Sequence, residues 1–290
     1  MEYHIRPDAS YPTGGMNREW LLTNSLGDYA SGTTAGCNTR RYHGLLAVQT
    51  PSGKYMLLST IEDSINVQGH DVPLSTRLHP GVVYPEGWRA LKEVSCNHDV
   101  VSFTFRLCGE GDNEVLLVRS LMLDRSSGRL LIRYALADTP AARELGPLRL
   151  TLRPLINGRN INHLHAAVPS RTAFVHALGI ENGSYPGFSF RPEEPVPALV
   201  MQISHPTLQR STFTASPDWY YKILYPVEKA RGYDFEEDLL MPGTFVTSLA
   251  ADCPIWVSAG NGTSGLEHLT DYINIVRKQD SIPLSKSPNT

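Results

Sequence analysis

The chain has 290 residues, 41% of them hydrophobic, and a formal net charge of −3. A chain of this length buries about 75% of the surface its unfolded form exposes, so it needs no metal or disulfide staple to fold. With charge near neutral and the lysines and arginines scattered, nothing points to nucleic acid or an anionic membrane as partner.

The first informative stretch is residues 17–46, NREWLLTNSLGDYASGTTAGCNTRRYHGLL. It gathers Gly27, Gly32, Gly36 and Gly44 with Trp20, Tyr29, Arg40, Arg41, Tyr42 and His43. Glycine costs backbone entropy and is used where a chain turns sharply or passes close to another surface. The stretch reads as one wall of a site. Runs rich in β-branched and aromatic residues follow at 54–67, 99–108, 113–123 and 128–137. Residues 147–156 alternate strictly, with Leu148, Leu150 and Leu152 on one side and Arg149, Thr151 and Arg153 on the other, the signature of a half-buried strand. PALVMQIS and WYYKILYP continue the pattern beyond residue 195. Turn signals at 109–112, 126–128 and 181–184 separate the runs.

Short strands at this spacing, without a βαβ rhythm, predict an all-β, antiparallel two-sheet β-sandwich of sixteen to eighteen strands over residues 1–262. Residues 263–279 carry an S-x-x-E capping box and apolar residues at helical spacing. They read as an amphipathic C-terminal helix, either packed back on the sandwich or a linker helix that seats a further domain, and 280–290 as a polar tail.

Cys37, Cys96, Cys108 and Cys253 show no C-x-x-C spacing. The first residues lack the apolar core of a secretion signal, and no run approaches eighteen apolar residues. The expectation is a cytoplasmic protein with reduced thiols, outside any membrane, with no metal and no cofactor. P-loop, dinucleotide and nucleophile-elbow motifs are absent from the sequence.

Sugars are held by aromatic rings over their C–H faces and by planar polar side chains on adjacent hydroxyls. The 17–46 stretch supplies such residues, and the substrate-binding candidates are Trp20, Asn38, Arg40, Arg41, Tyr42 and His43. A structural role stays open for each. If residues 40–43 were extended, Arg40 and Tyr42 would face one way and Arg41 and His43 the other. One arginine would then face the site, and the other would pair with a carboxylate of Glu236, Glu237 or Asp238. Trp219, Tyr220, Tyr221 and Tyr225 form a second candidate, as a stacking surface or as ordinary strand packing. Glu236 and Asp238 could share a strand face, as the two carboxyl groups of a glycosidase must share a site. His163 and His165 could do the same as metal ligands or as the acid of a mutarotase, but further ligands or a base are not evident.

Residues 17–46 also resemble the opening segment of bacterial and archaeal glycogen debranching enzymes of the amylo-α-1,6-glucosidase type. The family pattern E-W-L-x-T-N-G-x-G-G-Y-A-S-G-T, then N-T-R-R-Y-H-G-L-L, is matched at 19–21, 23–24, 27, 29–33 and 38–46, with Ser25 and Asp28 in place of glycines. LRPLINGRNIN at 152–162 and WYYKILYPVEKARGYDFEEDLLMPGTF at 219–245 resemble two later family segments. The resemblance implies a galactose-mutarotase-like supersandwich that precedes a catalytic helical barrel in the same polypeptide, and it favours the linker role for the helix at 263–279. Its substrate would be glycogen or another branched α-glucan. The barrel carries the hydrolytic carboxylates, so no catalytic residue is expected here and the chain is an accessory domain. A freestanding glucan-binding module and a mutarotase-like epimerase are the alternatives.

Overall fold

A computed structural model describes residues 3–8, 11–125, 127–178, 185–204 and 211–262. Among these, antiparallel strands build two large sheets. From edge to edge, the nine-stranded sheet runs Tyr3–Ile5, Leu91–Cys96, Val100–Cys108, Val115–Leu123, Leu130–Leu136, Ile255–Asn261, Leu199–Ser204, Gly187–Phe190 and Val175–Leu178. The eight-stranded sheet runs Ser211–Leu224, Glu236–Leu249, Leu148–Asn160, Gly53–Val67, Gly44–Thr50, Tyr29–Thr33 and Glu19–Thr23, with His70–Pro73 added to Gly53–Val67. A hairpin of Thr76–His79 and Val82–Glu86 stands apart. The expected two-sheet antiparallel sandwich is therefore the fold. Its strands slightly outnumber the expectation because pieces such as Tyr3–Ile5 and His70–Pro73 are too short to show a period. The expected helix at 263–279 and the tail lie outside the described residues.

Alternation sets the layers. Along Gly53–Val67, Ile61 and Ile65 point into the core between the sheets, where they join Leu150 and Leu152 of Leu148–Asn160 and Phe103, Phe105 and Leu121 of the nine-stranded sheet. Burying this much apolar surface, at about 25 cal/mol per Å², is the main force holding the sheets together. A second, smaller cluster of Leu155, Ile223, Tyr225, Leu239 and Met241 sits on the opposite, outer face of the eight-stranded sheet, since Leu239 and Met241 flank the core residue Leu240.

The strand expected at 147–156 runs on to Asn160. The strand carries Asn157-Gly158 as an irregularity. Pairing slips between Ile156 and Arg159, and Gly158 takes φ +57, a backbone conformation that glycine tolerates. The extra residues carry Arg159 to the outer face.

Candidate functional site

The residues that match in the first block sit in and around the connection from Tyr29–Thr33 to Gly44–Thr50. Residues 38–43 are a bend and a turn, closed by the His43 N–H donating to the Arg40 carbonyl at 3.1 Å, not a strand. The strand-like split of Arg40 and Tyr42 from Arg41 and His43 therefore does not occur. Arg40, Arg41 and Tyr42 all reach solvent, and His43 turns inward.

Backbone carbonyls anchor this turn. Thr39 accepts from the Val227 N–H at 3.1 Å, Arg41 from Arg159 Nη2 at 2.8 Å, and Tyr42 from the Tyr29 hydroxyl at 2.8 Å. Arg159 is among the largest fully buried side chains. Its Nε and Nη2 grip the Glu237 carboxylate at 2.5 and 3.0 Å, and the Tyr225 hydroxyl donates to the same carboxylate at 2.7 Å. Burial and the Glu237 charge push the Tyr225 phenol well above its ordinary pKa, so it stays a donor. Glu237 is thus the partner of Arg159, not of Arg40 or Arg41. The three sequence blocks meet here: 17–46 supplies the turn, 152–162 supplies Arg159, and 219–245 supplies Tyr225, Val227 and Glu237.

The candidates divide by burial. Trp20 is only 4% exposed. Its indole N–H donates to the Thr33 carbonyl and its ring packs edge-on to Phe103 and over Gly32, where a Cβ would come within 3.1 Å. It is core, and offers no face to a ligand. Asn38 staples the turn to the next strand by donating to the Ser59 carbonyl and hydroxyl, each at 3.2 Å. Arg40 pairs with Glu19 at 2.6 Å. Arg41 donates to the Asn162 carbonyl and to the Tyr42 hydroxyl, and lies 5.0 and 5.3 Å from the ring centroids of Tyr42 and Tyr233. On the other flank, Arg231 lies 4.9 Å from the Tyr233 ring. The outward surface is therefore Arg40, Arg41, Tyr42, Asn162, Arg231 and Tyr233, guanidinium groups set beside aromatic rings. Sequence reasoning missed Arg159, Asn162 and Tyr233, although all three lie in the matched blocks.

His43 is buried, with Nδ1 accepting the Thr39 N–H at 3.1 Å and Nε2 3.6 Å from Glu19. Burial, only partly offset by Glu19, pulls its pKa down to about 4. The unfolded chain then binds the extra proton between pH 6.5 and 4 while the native state does not, so stability falls as pH falls through that window. The expected loss between pH 7 and pH 5 is about 2 kcal/mol. Urea unfolding at both pH values reads it, and His43→Asn, whose amide oxygen can still take the Thr39 N–H, should flatten the slope.

The remaining candidates are occupied elsewhere. Asp238 accepts the Lys222 and Ala167 N–H groups at 2.9 and 2.8 Å, which leaves no acid/base pair with Glu236. His163 and His165 lie in a loop, and His165 Nδ1 meets Arg171 Nη1 at 3.0 Å. No metal-binding group of His, Cys, Asp or Glu occurs among the described residues. Tyr225 is buried and Trp219 packs on the core, so of that aromatic run Tyr221 is the well-exposed ring. A cavity of about 30 Å³ beside Trp20, Asn38, Arg119 and Tyr134 has room for a water or two, not a sugar. Among the described residues, no helix is long and apolar enough to cross a membrane.

A family model described as the glycogen debranching enzyme N terminal matches residues 18–255. No curated protein matches the chain. Among solved structures, an α-N-acetylgalactosaminidase from Bifidobacterium bifidum matches at 9% identity and TM-score 0.39, over 91% of this chain and 38% of that one. A bacterial glucoamylase complexed with acarbose matches at 10% identity and TM-score 0.36, over 96% of this chain and 39% of that one. Likenesses this distant carry no argument about activity. The chain spans less than two fifths of the length of the first solved structures it matches.

Proposed function

The chain belongs to the family of glycogen debranching enzyme N-terminal domains, and on that premise we propose that it is the accessory sandwich of an enzyme that hydrolyses α-1,6 branch points in glycogen. The observation that carries this reading is the convergence of the three matched blocks on one surface. Arg159, held by Glu237, reaches up to the Arg41 carbonyl and presents Arg40, Arg41 and Tyr42 outward. Guanidinium groups give paired donors to adjacent sugar hydroxyls, and Tyr42 and Tyr233 give ring faces to C–H surfaces. The hydrolytic carboxylates belong to a helical barrel of the same polypeptide, and this surface forms one rim of its cleft. Leu21, 59% exposed on the same face of its strand as Glu19, supplies an apolar contact for that barrel. The enzyme works in the cytoplasm, where glycogen is stored.

The test is Arg40→Ala with Tyr42→Ala in the complete enzyme. KM for branched limit dextrin should rise about tenfold, the loss of about 1.4 kcal/mol of binding, with the melting temperature unchanged. Unchanged kinetics would make the turn purely structural.

A further inference from the structure

About six residues along Leu148–Asn160 from Arg159, roughly 20 Å away at the usual rise per strand residue, the outer face of the eight-stranded sheet carries a second polar cluster. Glu62 accepts from Arg77 Nη2 at 2.5 Å, from Arg153 Nη1 at 3.2 Å and from the Tyr220 hydroxyl at 3.1 Å. The Arg77 guanidinium also lies 4.8 Å from the Tyr220 ring centroid, and its Nε donates to His79 Nε2 at 3.2 Å. His79 in turn lies beside the backbone of Tyr221 and Lys222. Arg77 is itself buried, and its Nη1 has no hydrogen-bond partner.

Two exposed tyrosines border this cluster, and the backbone puts both there. Pairing of Ser211–Leu224 with Glu236–Leu249 slips between Tyr220 and Ile223, and Lys222 sits at φ +55, an uncommon conformation for a residue with a side chain. Asp238 holds that bulge through the Lys222 N–H. The bulge turns Tyr221 out to 58% exposure. On the adjoining hairpin, His79 pairs with Val82, so Tyr84, two residues further on, stands on the same face as His79, 67% exposed. Two exposed ring faces beside the half-exposed Arg153 guanidinium have the chemistry that grips a pyranose chain.

We propose that Tyr84 and Tyr221, with Arg153 of the same cluster, form a second glucan-holding surface on this domain, separate from the 38–43 turn. The ligand is an α-glucan chain, bound by stacking on the two rings and by hydrogen bonds from Arg153, whose side chain is 38% exposed, to its hydroxyls. This rests on the reading that the parent enzyme acts on glucan. Such a surface keeps a branched polymer tethered while individual branches come and go at the cleft.

Electrophoresis of the 290-residue chain through gels that contain glycogen tests it. The wild-type chain should be retarded, and Tyr84→Ala with Tyr221→Ala should weaken that retention at least tenfold. Both rings are exposed, so the variant should melt with the wild type. The turn variant Arg40→Ala with Tyr42→Ala should still be retarded. Retention that survives loss of both tyrosines overturns the proposal, as does a wild-type chain that glycogen does not slow. The turn reading is judged separately, on turnover by the complete enzyme, so either can fail without the other.

Discussion

Arg159→Ala should destabilise the chain by about 3–5 kcal/mol, a large share of the 5–15 kcal/mol typical of a folded domain. The side chains of Arg159 and Glu237 are both fully buried. Removing the guanidinium leaves a fully buried carboxylate with the Tyr225 hydroxyl still donating to it, and an uncompensated buried charge is the costly outcome. The Ile161 and Arg41 carbonyls lose their donor as well, and the Asn160 carbonyl keeps only the His163 N–H. Glu237→Gln should cost somewhat less, because Arg159 keeps its three carbonyl contacts and the amide oxygen still accepts from it, although the buried guanidinium then lacks its counter-charge. Urea midpoints at pH 7 separate the two variants. The Arg41 carbonyl ties this loss to the site: in the alanine variant the 38–43 turn loses its central backbone anchor and keeps those at Thr39 and Tyr42 and the Asn38 staple to Ser59, and cleavage by trypsin after Arg40 or Arg41 should quicken more than global destabilisation explains. A loss below about 1 kcal/mol would mean that the turn is held by its other anchors, and that the convergence of the three blocks is incidental.

The layers were legible in the sequence and the site was only partly so, for a physical reason. Period-two alternation is imposed by the sheet itself, so Leu148, Leu150 and Leu152 announced their burial, and the strands expected at 54–67 and 99–108 run at Gly53–Val67 and Val100–Cys108. Turns obey no such period. Residues 38–43 look like a continuation of a strand, and only contacts with Val227, Arg159 and Tyr29, distant in the chain, fold them into a turn. Residue type misled in the same way. Trp20 is as good a sugar platform as any tryptophan on paper, yet it points between the sheets because its neighbours Glu19 and Leu21 take the outer face. Arg159 had the opposite fate. An arginine is rarely fully buried, and nothing local marks this one, because its partner Glu237 is 78 residues away.

The departures from the family pattern are explained by hydrogen bonding. Where the family has glycines, Ser25 donates to the Arg125 carbonyl at 3.1 Å, and Asp28 accepts from the Gln49 N–H and from Asn24 at 2.8 and 3.0 Å. The loop between Glu19–Thr23 and Tyr29–Thr33 is thereby pinned to Gly44–Thr50 and to the loop around residue 125. The wall that carries the candidate surface is stiffened from both ends, which favours a preformed rim over one that orders on binding.

Asp63→Ala should be the second severe substitution, at about 3–5 kcal/mol, because it unpins the sheets from each other. Asp63 is completely buried on the inner face of Gly53–Val67, and its Oδ2 accepts from Arg119 Nη1 at 2.8 Å and from the Tyr134 hydroxyl at 2.9 Å, both on the opposite sheet. Burial and the Asp63 charge hold the Tyr134 phenol well above its ordinary pKa, so it remains a donor. Arg119 lies 4.8 and 5.3 Å from the rings of Phe103 and Phe105, an apolar bed that offers its charge no substitute for the carboxylate. Losing Asp63 therefore strands a guanidinium in the core. Asp63→Leu combined with Arg119→Met removes both charges at similar volume and should recover most of the loss, leaving mainly the unpartnered Tyr134 hydroxyl, worth about 1–3 kcal/mol. A double-mutant cycle by urea unfolding reads this directly, and strict additivity of the two single substitutions would show that the pair does not hold the sheets. The consequence for the site follows from geometry. Arg119 and Tyr134 line the same small cavity as Asn38 and Cys37, so this ion pair supports the floor from which the 38–43 turn rises. The double variant should thus regain stability while the turn above it stays looser than in the wild type, which His43→Asn would not produce.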